Sequence, residues 1–245
     1  MRKITFEEIE TYLVDISGCK NLDEILKVLQ KQVQNYGFDR FTYWLRWPTS
    51  EDHQPIFIST YPDQFINQYV NNNYQSHDMV GRFSLEANTP FQWSDIEQRY
   101  PITKAQQLIF DDSQSVGLVS GGSIPIHGPR QIEATFSVVS DLPSKQFNDI
   151  FHVVRHELHI LATYAHERIL QLGLHESKSD LSLTHRETEV LTWVARGKTY
   201  WEIGIILGIQ EDTVKKFMQR IFNMLNVSNN THAVAKAIIS GLIIP

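Results

Sequence analysis

The sequence has very little cysteine and no long apolar run. Its single cysteine, Cys19, excludes an internal disulfide and a metal site built from thiolates. No stretch reaches the roughly 20 apolar residues that an α-helix needs to span a bilayer. The first residues, MRKITFEEIETYLV, include no small-residue cleavage site, so they do not have the pattern of a signal peptide. We therefore predict a cytoplasmic protein without membrane contact.

Positive charge is also scarce, because 22 lysines and arginines face 28 aspartates and glutamates, a formal net charge of -6. This balance argues against a protein that coats nucleic acid through bulk charge. The deficit is uneven: residues 182–245 hold seven basic and five acidic side chains, a net of +2, which leaves -8 for the rest. An acidic body with a mildly basic tail indicates two domains with different partners.

A polar segment at residues 173–182, GLHESKSDLS, is the best candidate for a domain boundary. It begins with a glycine, which suits the end of a helix, and it follows a long periodic segment. We predict an N-terminal domain at residues 1–172, a linker at residues 173–182 and a C-terminal domain at residues 183–245.

Periodicity predicts a mixed α+β sandwich before that linker and only helices after it. Helices are expected at residues 6–16 and 22–36, with Asn21 as the N-cap of the second helix. Runs of aromatic and β-branched residues predict strands at residues 41–47, 56–60, 119–126 and 132–139.

A long helix is expected just before the linker, because apolar residues recur there every three or four positions. Two interpretations of this apolar row are open. It packs on the protein's own sheet, which the pattern favours, or part of it makes a contact in a dimer. The row comprises Phe147, Phe151, Val154, Leu158, Leu161, Ala165 and Leu172.

The clearest pattern lies in the C-terminal part, where short helices alternate with tight turns. Thr184 with Glu187 three residues later forms a capping-box sequence, and Gly197 and Gly208 suit helix ends. Further helices are expected at Tyr200–Leu207 and Glu211–Leu225. In such a helix-turn-helix arrangement the last helix enters the DNA major groove.

The last helix of this arrangement has two distinct faces. The inward face is expected to comprise Val214, Met218 (or Phe217), Ile221 and Leu225. The outward face is expected to present Lys215, Lys216, Gln219 and Asn223, which are donors for phosphates and base edges.

Residues 183–242 resemble the LuxR-type helix-turn-helix domain. The resemblance rests on LTHRETEVL, ARGKTYWEIGIILGI, TVKKFMQRI and LNVSNN followed by AVAKAIISGLI. It implies a four-helix domain whose recognition helix contacts DNA through Thr213, Lys215, Lys216, Gln219 and Arg220. Four positions depart from the family pattern. Gln210 replaces the usual hydroxyl cap, and Phe217 replaces His. Met224 replaces Lys, and Asn230 replaces Lys or Arg. Each lost charge predicts weaker DNA binding.

Residues 35–139 resemble the autoinducer-binding domain of quorum-sensing LuxR proteins. The matching segments are NYGFDRF, TYPDQFINQYVNNNYQSHDMV, PFQW and GLVSGGSIPIHGPRQIEATFSVV. The resemblance implies an α/β/α sandwich with a central antiparallel sheet that binds an acyl-homoserine lactone. Asp78 matches the acceptor for the ligand's amide N–H, and Tyr61 and Ser137 match hydroxyls that donate to its amide carbonyl. Tyr69 and Trp93 match the aromatic wall of the pocket.

One departure falls directly in this site. Phe65 stands where the family usually has a tryptophan whose indole N–H donates to the lactone carbonyl, and a phenyl ring cannot donate. Three alternatives therefore stay open: a conventional acyl-homoserine lactone, another hydrophobic signal, or a pocket that works without a ligand. Without the family pattern, the aromatic residues of the site would be interpreted as core residues and Asp78 as a surface cap.

The remaining candidate sites have weaker patterns. His152, His156 and His159 share one helix face, but no further ligand set accompanies them, so a polar flank is favoured over a metal site. Asp111 and Asp112 lie too late in the chain for a phospho-receiver domain and are expected on a solvated face or at a cap. Because no nucleophile or phosphate-loop motif is present, we expect neither an enzyme nor a metal or cofactor.

Together these patterns predict a ligand-responsive transcriptional regulator that binds a palindromic DNA site as a homodimer. Two alternatives remain open. The first is an orphan or anti-activator protein of the same family, which senses a different small molecule or acts through heterodimers with weak DNA binding. The second is an enzyme that binds a small molecule.

Overall fold

The computed structural model describes residues 5–46, 55–128, 132–173 and 183–243. These residues form two compact units, one built by the elements up to residue 173 and one by the elements from residue 183 onward. The linker predicted at residues 173–182 lies outside the described residues except for Gly173. Within the described ranges, no helix is both long and apolar enough to cross a membrane.

The N-terminal unit begins with the two helices expected from periodicity, α1 at Phe6–Gly18 and α2 at Leu22–Asn35. Asn21 caps α2 as predicted, because its side chain accepts a hydrogen bond from the backbone N–H of Glu24. The strands are β1 at Arg40–Arg46, β2 at Ile56–Ser59, β3 at Phe91–Gln92, β4 at Ser120–His127 and β5 at Glu133–Ser140. Four of these strands are predicted by the sequence patterns, and the two-residue β3 is not.

Between β2 and β4 the chain forms short helices that the sequence patterns do not predict. Asp78 and Thr103 start two of them by accepting hydrogen bonds from the backbone N–H groups of Val80 and Gln106. The elements are α3 at Asp63–Asn71, a 3₁₀ turn at Tyr74–Ser76, α4 at Met79–Glu86, α5 at Trp93–Arg99 and α6 at Lys104–Ser115. This series supplies most of the predicted ligand residues.

The five strands form one antiparallel sheet in the order β2-β1-β5-β4-β3. The register places Thr42 of β1 opposite Ser137 of β5, and Ser137 opposite Ser123 of β4. Because directly opposed residues of antiparallel strands share a face, these three hydroxyl side chains form a row across the sheet.

Helices cover both faces of the sheet. Two consecutive glycines of β4 show this arrangement, since neighbouring strand residues point to opposite faces. A Cβ atom at Gly121 would lie 2.5 Å from the ring of Trp93 at the start of α5. A Cβ atom at Gly122 would lie 2.4 Å from the ring of Phe151, which belongs to α7 at Ser144–Gln171. The α/β/α sandwich with a central antiparallel sheet is thereby confirmed.

The long helix α7 buries its predicted apolar row within the N-terminal unit. Phe147, Phe151 and Leu158 are at most 1% exposed, and Tyr43 on β1 bonds to the imidazole of His166 on the same helix. The interpretation that the row packs on its own sheet is therefore confirmed. A second row of apolar side chains on α7 is exposed; it comprises Val153, Ile160 and Tyr164.

The C-terminal unit consists of α8 at His185–Ala195, α9 at Tyr200–Leu207, α10 at Glu211–Leu225 and α11 at Asn230–Ile239. The capping box of Thr184 and Glu187 is present, and Gly208 ends α9 in the left-handed conformation. The inward face of α10 is buried as predicted, with Met218 rather than Phe217 in the core. These features confirm the predicted four-helix domain with a helix-turn-helix.

We expect Gly122→Ala to lower the free energy of unfolding by roughly 1–3 kcal/mol, because the new methyl group overpacks the β4–α7 contact. Gly18→Ala is the matched control, since nothing lies within 4 Å of a Cβ atom placed there. Urea denaturation of the full chain measures both variants. Equal midpoints for the two variants would contradict the close packing of α7 on the sheet.

Candidate functional site

All six predicted ligand residues lie on the sheet face opposite α7. Phe65, Leu118 and Val139 form a buried apolar cluster there, and Tyr61, Tyr69 and Trp93 pack around it. Phe65 and Tyr69 are four residues apart on α3, so they present their rings on one helix face. The ring of Phe65 lies 6.2 Å from that of Tyr61 and 6.0 Å from that of Tyr69. The two rings expected to form the aromatic wall, Tyr69 and Trp93, thus come from α3 and from the start of α5.

Asp78 is both the N-cap of α4 and the acceptor at the centre of this site. Its Oδ1 accepts a 2.8 Å hydrogen bond from the backbone N–H of Val80. Its Oδ2 accepts a 2.7 Å hydrogen bond from the hydroxyl of Tyr69. Burial raises the pKa of Asp78 above its ordinary value, and the hydrogen bonds from Tyr69, Val80 and Gly81 lower it in part. The side chain therefore caps α4, as the surface-cap interpretation expects, but it also accepts a hydrogen bond from Tyr69 inside the site.

Two buried hydroxyls in the site have no hydrogen-bond partner among the residues that the structure describes. They belong to Tyr61 and to Thr42 on β1. Burial, with a smaller contribution from the charge of Asp78, raises the pKa of Tyr61 well above its ordinary value, so the phenol stays protonated. Since buried polar groups are nearly always satisfied, these two hydroxyls are candidates for bonds to a polar ligand group.

The serines of the sheet are hydrogen-bonded to one another and to Trp93. The indole N–H of Trp93 donates to Ser123 Oγ over 3.0 Å, and Ser123 Oγ lies 2.8 Å from Ser137 Oγ. Ser137 is therefore placed at the site as predicted, within a hydroxyl network. The sequence analysis misses Ser123 and Thr42, because only the strand register brings them next to Ser137.

The arrangement can bind an amphipathic small molecule. Asp78 accepts from an N–H or O–H, Tyr61 and Thr42 can donate to a carbonyl, and the rings provide an apolar lining. Phe65 is buried and supplies apolar surface only. Among the described residues, no group of three or more His, Cys, Asp or Glu side chains is placed to hold a metal ion.

Asp112 on α6 is half-buried and bonded to another helix, so the expectation of a solvated face or a cap describes it only in part. Its carboxylate accepts hydrogen bonds from the hydroxyl of Tyr74 in the 3₁₀ turn and from the amide of Gln68 on α3. Its neighbour Asp111 is exposed and accepts only from Gln107, one turn earlier on the same helix. Two adjacent aspartates thus differ completely in their surroundings.

The predicted DNA-contacting residues lie together on α10. Lys215, Lys216, Gln219 and Arg220 are exposed, and Thr213 is half-buried in the first turn of the helix. Lys215 forms ion pairs with Glu211 at 2.9 Å and with Asp212 at 3.3 Å. Lys216 and Arg220 have no ion pair within the described part of the chain, so they are the cations most available to phosphates.

The departures from the family pattern have local explanations. Gln210 starts α10 without a side-chain capping bond, and Phe217 and Met224 pack against the core of the C-terminal unit. Asn230 accepts a 2.6 Å hydrogen bond from the hydroxyl of Tyr200. The first three positions therefore contribute to packing or to the helix start and supply no charge.

Comparison with known proteins identifies both units. Residues 21–169 match the autoinducer binding domain family, and residues 181–237 match the bacterial regulatory proteins of the luxR family. The chain is 30% identical to the transcriptional activator protein ExpR of Dickeya dadantii, over 90% of this chain and 91% of that protein. It is 34% identical to the quorum sensing-dependent transcriptional regulator RpaR of Rhodopseudomonas palustris, over 75% of this chain and 73% of that protein.

A solved structure of SdiA in complex with octanoyl-rac-glycerol has the same fold, with a TM-score of 0.78 and 20% identity over 99% of this chain and 98% of that one. The matching family consists of transcriptional regulators and not of enzymes. This protein therefore belongs to the LuxR-type family of bacterial transcriptional regulators, with an autoinducer-binding domain and a helix-turn-helix DNA-binding domain.

Proposed function

We propose that this protein is a cytoplasmic homodimer that binds an acyl-homoserine lactone or a similar hydrophobic signal and then controls transcription at a palindromic site. The observation that carries the proposal is the unpaired, buried hydroxyl of Tyr61 beside the carboxylate of Asp78. These groups are the donor and the acceptor that an amide requires.

In this proposal each polar group of the ligand has one partner. Asp78 accepts from the amide N–H, and Tyr61 donates to the amide carbonyl with support from Ser137. Thr42, whose hydroxyl is also unpaired, binds a further oxygen of the ligand. The acyl chain lies against Tyr69 and Trp93.

The substitution at Phe65 favours a second candidate ligand class. A lactone carbonyl placed beside Phe65 receives no hydrogen bond from it. A ligand whose head group lacks that carbonyl therefore gives up no hydrogen bond at this position. SdiA, which shares the fold, has been solved with octanoyl-rac-glycerol. An acylglycerol presents hydroxyls to Asp78 and an ester carbonyl to Tyr61, which makes this class a direct competitor.

Ligand binding and DNA binding are coupled in the proposal through stability. A ligand that binds only the folded sensor stabilises it by mass action. The folded sensor then dimerises through the exposed row Val153, Ile160 and Tyr164 on α7, and two copies of α10 reach half-sites one helical turn apart.

One set of contacts supports the anti-activator alternative. Lys215 is already neutralised by Glu211 and Asp212, and Asn230 gives no charge at a position that is commonly basic. Both features reduce the attraction for phosphates. Weak DNA binding by the ligand-loaded homodimer, together with heterodimer formation on co-expression with a relative, would favour this alternative.

Tyr61→Phe is expected to leave the melting temperature of the ligand-free protein unchanged or higher, because the lost hydroxyl has no partner. The same change should weaken ligand binding about tenfold and shrink the rise in melting temperature on ligand addition. Thermal denaturation with butanoyl-, octanoyl- and dodecanoyl-homoserine lactone and with octanoyl-rac-glycerol measures both effects.

Tyr43→Phe is the matched control for this experiment. Its hydroxyl bonds to His166 on the other face of the sheet, so its loss should lower the melting temperature but preserve the response to ligand. A full ligand response in Tyr61→Phe would remove Tyr61 from the site. No response of the wild-type protein to any of the four compounds would reject both ligand classes.

Ile160→Glu is expected to convert the ligand-loaded protein from a dimer to a monomer, because it places a charge in the centre of the exposed row on α7. Light scattering after size-exclusion chromatography measures the mass. Leu108→Glu, at an exposed position of α6, is the control and should remain dimeric. An unchanged dimer in Ile160→Glu would place the interface elsewhere.

Lys216→Ala is expected to weaken binding to a duplex selected in vitro and to reduce the salt slope of the binding constant by about one. Lys215→Ala should have a smaller effect, because Glu211 and Asp212 already neutralise that lysine. Lys27→Ala on α2 controls for net charge. If the Lys215→Ala, Lys216→Ala double variant bound with unchanged affinity, α10 would not be the DNA-contacting helix.

A further inference from the structure

The segment that carries the proposed ligand residues Phe65 and Tyr69 is hydrogen-bonded to α6 through one acidic side chain, Asp112. This segment, residues 63–76, comprises α3 and the 3₁₀ turn and ends two residues before Asp78. We call it the cover segment. Its main packing contacts outside itself are with α6, where Asp112 lies.

Asp112 receives two hydrogen bonds from the cover segment. Gln68 Nε2 on α3 donates to Asp112 Oδ2 over 2.6 Å, and the hydroxyl of Tyr74 in the 3₁₀ turn donates to the same oxygen. Tyr74 is only 8% exposed. Hydrogen bonds to a carboxylate are stronger than those between neutral groups, so this one oxygen holds both α3 and the 3₁₀ turn of the cover segment.

The contacts of Tyr74 continue from Asp112 into the ligand site. The ring of Tyr74 packs edge-on against that of Tyr69, with the centroids 6.0 Å apart and the planes at 90°. The hydroxyl of Tyr69 in turn donates to Asp78 over 2.7 Å. Asp112 therefore fixes the position of Tyr74, and through its ring the position of Tyr69.

Access to the site requires that some covering element move. The hydroxyl of Tyr61 is buried, so a ligand that reaches it cannot enter through the structure as it stands. Besides the packing of Phe65 and the bond from Tyr69 to Asp78, the cover segment is attached to the body through two side-chain hydrogen bonds to Asp112 on α6. Opening it exposes the rings of Phe65 and Tyr69 without disturbing the sheet.

We propose that Asp112 is a positioning residue that holds the cover segment closed over the ligand site, and that it sets the rate at which ligand enters and leaves. That Asp112 holds the cover segment closed is argued from its contacts alone, whereas its control of ligand exchange rests on the function proposed above. When the bonds to Asp112 break, the open state is populated more often, so association and dissociation both accelerate.

The first experiment needs no ligand. Hydrogen–deuterium exchange of residues 63–76 is compared in the full-length wild-type protein, Asp112→Asn and Asp111→Asn. Asp112→Asn keeps the shape but loses the charge, and exchange in the cover segment should rise about tenfold. Asp111→Asn is the matched control, because Asp111 has no bond to that segment. Equal exchange in the two variants overturns the proposal.

The second experiment distinguishes a residue that holds the cover segment closed from one that only stabilises the fold. Stopped-flow binding of octanoyl-homoserine lactone should give association and dissociation rates that both rise about tenfold in Asp112→Asn, with little change in affinity. A purely structural defect lowers affinity without faster association. A rise in the dissociation rate alone therefore overturns the proposal. If the wild-type protein does not bind this compound, only the ligand proposal fails, and the exchange experiment still tests whether Asp112 holds the cover segment.

Tyr74→Phe is the second variant, in case Asp112→Asn does not fold. It keeps the ring against Tyr69 and loses only the hydroxyl that donates to Asp112. A rise in exchange and in both rates is again expected. In the double variant the two effects should not add, because Tyr74→Phe removes one of the two bonds that Asp112→Asn weakens. Wild-type exchange in Tyr74→Phe overturns the proposal.

Discussion

The ligand-binding half of the molecule depends on the hydrogen bonds that the buried carboxylate of Asp78 accepts. Tyr69 and the backbone of Val80 donate to its two oxygens. Burial nevertheless raises the pKa of Asp78, which means that the ionised form destabilises the ligand-free fold. This contribution is absent at low pH and develops as the pH rises through the interval between the unfolded and the raised folded pKa. In the proposed function, a ligand N–H that binds the carboxylate offsets this cost, so the occupied fold is expected to be the more stable one.

The sheet provides the fixed platform for that carboxylate. One face is closed by α7 through the contact of Phe151 with Gly122, and the other receives Trp93 over Gly121. The absence of side chains at these two positions lets helices approach both faces of β4 closely. On the ligand face, register places Thr42, Ser137 and Ser123 in one row. The polar floor of the site is therefore set by strand pairing, and its aromatic cover is set by short helices.

Sequence patterns predict the helices and strands whose apolar residues repeat at a regular spacing within one stretch of the chain. The helices α1, α2 and α7 and four of the strands follow from apolar spacing and caps. The family resemblance adds six proposed ligand residues, which the fold brings to one face of the sheet. The helices between β2 and β4 are too short to show a clear period. The bonds of Asp112 are not predicted, because its partners, Tyr74 and Gln68, lie 38 and 44 residues away in the chain. Thr42 and Ser123 escape prediction for the same reason, since their roles exist only once distant strands pair.

The ion pairs of Lys215 have a consequence for how the regulator behaves as ionic conditions change. Salt weakens the attraction of lysine for phosphate, and it also weakens the exposed pairs of Lys215 with Glu211 and Asp212. Added salt thus frees this lysine while it screens the DNA. The two effects oppose each other. If α10 contacts DNA as proposed, the affinity is expected to start lower and to fall less steeply with ionic strength than the number of basic residues on α10 indicates.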